Sequence, residues 1–216
     1  MTTTIEEERK NTVEEQNSAT QNISTDLAES VPEERIPELT SSQFQDKEWR
    51  TKQEWYINGK HNECEIYQRS VVETITSQKC FKTDIRINFN TKEMLPKKYP
   101  MKDDDGFDWT EDFDGVIKNG NDTFYINLKF ICDSGGSQTR SLREVSHFVH
   151  CQQEVLVKHN LKNVYFVNIL DGDTSFKSIS KFNHILNKKE FSEQKKFLFV
   201  SDMSSFKSWW NNYLTT

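Results

Sequence analysis

Asp114 and Lys129 are the residues whose types and spacing point to chemistry. Asp114 stands before Gly115 in FDGVI (113–117), and Lys129 lies between Leu128 and Phe130 in YINLKF (125–130). An ammonium among large apolar neighbours is costly unless it is paired or sits at a sheet edge. Between the two runs lies KNGND (118–122), whose Asn-Gly step signals a hairpin turn. Residues two apart in a strand share a face, so Asn127 and Lys129 project together, and a hairpin can set Asp114 beside them. Such a group suits phosphodiester hydrolysis. The acid holds a divalent cation that polarises a phosphoryl oxygen and lowers the pKa of a bound water. The lysine orients or deprotonates that water and balances charge in the transition state. Carboxylate, water and phosphate ligands suit Mg2+, with Mn2+ as a substitute. The alternatives are a plain turn at Asp114-Gly115 and an edge-strand lysine that guards solubility.

The elements that must position this pair are readable in part. Residues 41–57 carry Phe44, Trp49, Trp55 and Tyr56 among charges and suit a short docking helix. Ile66, Val71, Val72 and Ile75 recur at helical spacing, with a Glu65–Arg69 pair, and predict a helix over 62–77. DIRINF (84–89) alternates as a strand does, while the stretch 90–112, with Pro96, Pro100 and Asp103–Asp105, reads as a surface loop. TFYINLKFIC (123–132) is a strong strand, and DSGGSQT (133–139) a flexible turn. A helix is expected from Ser141, with Ser141 and Glu144 as a capping box and Leu142, Val145, Phe148, Val149, Val155 and Leu156 as its apolar stripe. VYFVNIL (164–170) and KFLFVSD (196–202) suit strands covered on both faces, with helices around 174–187 and 204–214. A hairpin followed by crossover helices predicts a mixed α/β sheet with helices on both faces.

Other polar residues have competing explanations. Gln138, Arg140 and Arg143 suit phosphates or base edges, or else a solvated helix start. Asp171-Gly172-Asp173 reads as a turn with an N-cap at Thr174 or Ser175. His147 and His150, three apart, read as polar-face histidines, and Trp209 and Trp210 as docking or interface residues.

Composition sets the outer bounds. Of 34 acids and 28 bases, residues 1–40 hold ten and three and no aromatic ring, leaving 24 and 25 for the rest. The overall charge of −6 therefore comes from the tail, which is expected to be disordered, with one domain over 41–216. A nucleic-acid ligand is not excluded, but any basic surface must be local. The four cysteines stand singly, no secretory segment opens the chain, and no long apolar run spans a membrane, so a soluble intracellular protein is expected.

The FDG strand, the strand with a penultimate lysine, the glycine turn and the GGSQTRSLRE passage resemble the PD-(D/E)xK nuclease superfamily, and more narrowly its type II restriction endonucleases. The resemblance runs from about Glu63 to the C-terminus and implies a restriction-endonuclease-like sheet. It implies Asp114 as metal-binding acid, Lys129 as catalytic lysine and Glu65, or Glu63, as supporting acid. The family's second acid, two residues before the lysine, is here Asn127. An amide is a neutral ligand, so the site is one negative charge short, and Glu144 in the following helix is placed to supply it. A Mg2+-dependent, sequence-specific endonuclease acting on double-stranded DNA as a homodimer is the implied function. The alternatives are an impaired nuclease-like domain kept for DNA binding or assembly, and a structure-specific repair nuclease.

Overall fold

The protein is described from a computed structural model, covering residues 46–57, 61–96, 109–132 and 135–215. The expected acidic tail, 1–40, and the Asp103–Asp105 cluster lie outside the described residues. Within them the chain forms a mixed α/β fold. Two short helices, α1 (Lys47–Arg50) and α2 (Glu54–Ile57), precede α3 (His61–Thr76). Strands β1 (Ile85–Asn88), β2 (Met94–Pro96) and β3 (Thr110–Asp112) form an antiparallel sheet in the order β2-β1-β3. The second sheet has the order β4-β5-β6-β7, from β4 (Gly115–Asn119), β5 (Asp122–Phe130), β6 (Val164–Asp171) and β7 (Leu198–Ser201). Helices α4 (Gly136–His159), α5 (Asp173–Leu186) and α6 (Met203–Leu214) follow β5, β6 and β7.

The expected hairpin is present. β4 and β5 pair antiparallel, with Asn119 opposite Asp122 and Gly120 in the left-handed region at φ 60°, which glycine adopts without steric cost. The β5–β6 and β6–β7 pairs are parallel, so α4 and α5 are crossovers. Alternation along the strands then sorts the core. Phe166 and Leu170 of β6, with Leu198 and Val200 of β7, pack with Val145, Phe148, Val149 and Phe182 under α4 and α5. On the other face Phe124 meets Trp210 edge-on with centroids 4.9 Å apart, and Trp210 is only 1% exposed. Trp210 therefore docks its helix onto the sheet.

Two expectations need correction. The segment 90–112 is not all loop: Met94–Leu95 and Glu111–Asp112 pair with β1 on its two sides. Its prolines and acids mask very short strands that β1 recruits. Helix α4 starts at Gly136, not Ser141, so Ser137–Thr139 are helical and Ser141 is no cap. The glycine pair delays the helix less than its composition suggests, because Gly135 supplies an extended N-cap that needs no side chain.

The start of α5 is tightly fixed. Gly172 (φ 97°) is its N-cap, and the N–H groups of Thr174 and Ser175 donate to the Ile131 carbonyl at 3.2 and 3.4 Å, so neither residue is the cap. A methyl group on Gly172 would overlap that carbonyl, which is why the turn takes glycine. Arg50 of α1, fully buried, pairs with Asp173 at 3.2 Å and ties the N-terminal helices to this corner.

Candidate active site

Between Phe113 and Asp114 the chain passes from one sheet to the other. Phe113 donates its N–H to Ile85 at the side of β1, and the next residue, Asp114, donates to Ile126 of β5. Phe113 anchors the crossing by stacking on Phe166, with centroids 5.4 Å apart and planes 1° from parallel. Gly115 follows because the Cys80 thiol fills the space that a Cβ would need. The crossing leaves the Asp114 carboxylate at the head of β4, beside the C-terminal half of β5.

Oδ2 of Asp114 accepts a 2.6 Å hydrogen bond from the Leu128 N–H, and Oδ1 has no hydrogen-bond partner among the described residues. Burial pushes the Asp114 pKa up to about 6; the Leu128 N–H and Lys129 pull it down, and Glu65 and Glu111 push it further up. Lys129 Nζ donates to Glu111 Oε1 at 2.8 Å. Burial works to lower the Lys129 pKa, yet Glu111, Asp114 and Glu144 outweigh it, and the net shift is upward. Lys129 therefore stays an ammonium at neutral pH. It can donate hydrogen bonds and neutralise negative charge, but it is not a base.

These interactions bring Asp114, Lys129, Glu65 and Glu144 into one electrostatic neighbourhood, as the sequence suggests. Glu65 also forms the expected i,i+4 ion pair with Arg69. Asn127 does not join them. It shares the strand face of Lys129, but its Nδ2 donates to Asn168 Oδ1 at 3.0 Å, and Asn168 bonds in turn to Gln152 of α4 and the Phe199 carbonyl. Asn127 is fully buried in this amide network, with Oδ1 unpartnered. A charged acid at this position would be buried against the Asn168 Oδ1, an acceptor to which it could not donate, which gives a physical reason for the amide.

Glu111 is the residue that sequence reasoning missed. It occupies β3 opposite Ile87, and only that pairing turns it toward Lys129. Two residues separate it from Asp114 across the sheet-to-sheet crossing, and nothing in the linear spacing marks it. Gln138 is half-buried at the start of α4, Arg140 and Arg143 are exposed, and neither arginine has an ion-pair partner among the described residues. His147 packs edge-on against Phe89 at 4.7 Å, and His150 against Phe191 at 5.6 Å.

The oxygen donors fit a hard divalent cation. Asp114 has an unused carboxylate oxygen, and Glu111, Glu144 and Glu65 lie within its electrostatic reach or that of Lys129. Among the described residues no three acids, histidines or cysteines already form a closed metal cage. Comparison with family models, with curated proteins and with solved structures finds no match in any of the three. Among the described residues no helix is long and apolar enough to cross a membrane.

Proposed function

We propose that the protein is a Mg2+-dependent endonuclease that hydrolyses phosphodiester bonds in double-stranded DNA, in the manner of type II restriction enzymes of the PD-(D/E)xK superfamily. The observation that carries this reading lies at the sheet crossing: Asp114, with a free oxygen at the head of β4, is within electrostatic reach of the Lys129 ammonium on β5, which is itself paired with Glu111. The antiparallel hairpin, the α4 crossover and the parallel β6 support it, since this is the order that the resemblance implies. Asp114 would hold the cation, with Glu144 or Glu111 as second carboxylate. The bound cation supplies Lewis-acid charge and an activated water. Lys129, kept protonated by its acidic neighbours, orients that water and stabilises charge on the scissile phosphate. Arg140, Arg143 and Gln138 at the start of α4 contact the DNA, and Glu65 supports the acidic end of the site. The enzyme acts as a homodimer so that both strands are cut.

Plasmid cleavage tests the assignment. Asp114→Ala and Lys129→Ala should each lower Mg2+-dependent cutting by about a hundredfold or more, the loss typical of removing one transition-state contact. Unchanged cutting in either variant removes that residue from the site.

A second reading has its own observation. Asn127 is fully buried with its Nδ2 on Asn168, so the position where the superfamily carries its second acid brings no charge to a metal. A nuclease-like domain kept for DNA binding or assembly would look the same. Millimolar Mg2+ separates the two: it should raise the thermal midpoint of the wild-type protein and not that of Asp114→Ala. No shift in either favours the second reading.

A further inference from the structure

We propose that the outer face of α4 carries a second anion site, which holds a backbone phosphate of the DNA beside the cleavage site. The inference rests on the endonuclease reading and extends it. A depression of about 310 Å3 is lined by Arg143, Ser146, His147 and His150 of α4 and by Ile185 and Lys188 at the end of α5. On a helix, positions 143, 146, 147 and 150 form one stripe, so four polar side chains face the same space. Two packing contacts fix the walls. The His147 ring lies against Phe89 of the β1–β2 hairpin, and Gln153 Nε2 donates to the Ile185 carbonyl at 3.2 Å, which holds the end of α5 against α4.

The lining is built from donors. Among the described residues, the side chains of Arg143, Ser146, His147 and His150 make no hydrogen bond or ion pair, and His150 Nδ1 is buried without a partner. Lys188 has a loose contact of 3.9 Å with Glu190, whose side chain is 64% exposed. No carboxylate lines the depression. A guanidinium, an ammonium, a hydroxyl and two imidazoles converging without an acid are matched to a phosphate, whose oxygens only accept. Two histidines three apart could instead share a metal, but Arg143 and Lys188 in the same lining repel a cation.

Position points to DNA rather than a free phosphate. Arg143 is the neighbour of Glu144, which acts on Lys129 electrostatically. Residues 143–150 span about 10 Å of helix axis, the length of roughly three nucleotides of one strand. On the endonuclease reading, a strand with its scissile phosphate at Asp114 and Lys129 lays a further phosphate into this depression. The contact carries no sequence information and sets the register of the strand.

The test is binding of a fluorescent DNA duplex to the full chain in Ca2+ over a range of KCl concentrations, with Mg2+-dependent cleavage measured in parallel. Lys188→Ala and His150→Asn, both at partly exposed positions, should each weaken binding about three- to tenfold and lower the salt slope by up to about 0.9, the share of one phosphate contact. Mg2+ stabilisation of the protein should not change. Wild-type affinity and slope in both variants overturn the proposal, and continued cleavage then shows that the nuclease reading survives it. Thermal stabilisation by inorganic phosphate that is lost in Lys188→Ala, with DNA binding unaltered, also overturns it and assigns the depression to a free phosphate. A wild-type chain that neither binds nor cuts DNA overturns both readings.

Discussion

Asp114 and Asp171 lie at the same end of the four-stranded sheet, one at the head of β4 and one at the tail of β6, and both are held mostly out of water. Asp171 uses both oxygens: Oδ2 accepts from Gln68 Nε2 at 2.7 Å and Oδ1 from the Met203 N–H at 3.1 Å. It is 1% exposed and clasps α3, β6 and the start of α6. Asp114 uses one oxygen, on the Leu128 N–H, and lies within electrostatic reach of the Lys129 ammonium, which is bonded to Glu111. A buried carboxylate with all its acceptors filled is a structural joint. One with an open oxygen, within electrostatic reach of a paired lysine, keeps an acceptor that the fold does not use. Asp171 is fully buried and Asp114 half-buried, and they differ also in the number of oxygens left without a partner.

Truncation should split the two most sharply. Asp171→Ala strands the Gln68 amide and the Met203 N–H in a dry place, and at pH 5–6 should cost about 2–4 kcal/mol of folding stability. Asp114→Ala leaves only the Leu128 N–H without its partner and should cost about 1 kcal/mol or less while removing cleavage. Urea unfolding of both variants beside the plasmid assay checks this. If Asp171→Ala folds as well as wild type, or Asp114→Ala unfolds, the contrast between joint and ligand fails.

pH gives a second, smaller separation. Burial first, and Asp202 after it, push the Asp171 pKa up to about 7, against the pull of Gln68 and the Met203 N–H. The folded protein thus keeps the Asp171 proton up to about pH 7, whereas the unfolded chain releases it near 3.8. Over that window the folded state binds more protons, so stability falls as pH rises and levels off above about 7. Asp114 adds a loss of the same sign that is complete by about pH 6. In metal-free buffer, Asp171→Asn should therefore flatten the stability curve between pH 6 and 7 and reduce the fall below pH 6 to the Asp114 share. Thermal melts across that range test it, and a curve unchanged by Asp171→Asn removes Asp171 as the source.

The same contrast explains what could be read from the linear chain. The β4–β5 hairpin, the α4 stripe and the apolar runs of β6 and β7 were legible because each is periodic within itself. Asp171 passes for a turn residue in sequence, since its clasp depends on Gln68, 103 positions earlier. Asn127 reads as a site residue because its face is right, while its bond to Asn168 exists only once β5 and β6 pair in register. Glu111 is hidden for a related reason. A three-residue strand has no period to detect, and its orientation comes from β1.

Glu111 offers the finest test of the comparison. Its ion pair with Lys129 joins two side chains about one-third exposed, 31% and 32%, so solvent screens it and its worth to folding is about 0.5–1 kcal/mol at most. If the pair served stability alone, Glu111→Gln would lower the thermal midpoint slightly and leave cleavage unchanged. If Glu111 aims Lys129 at the Asp114 side, the same variant should lower kcat about tenfold with the same small change in stability, because a misplaced ammonium stabilises the transition state less. Glu111→Asp, which keeps the charge but shortens the reach, should fall between Gln and wild type. An unchanged kcat in Glu111→Gln would make this pair a surface tie and leave Asp114, with its open oxygen, as the part of the site that differs in kind from Asp171.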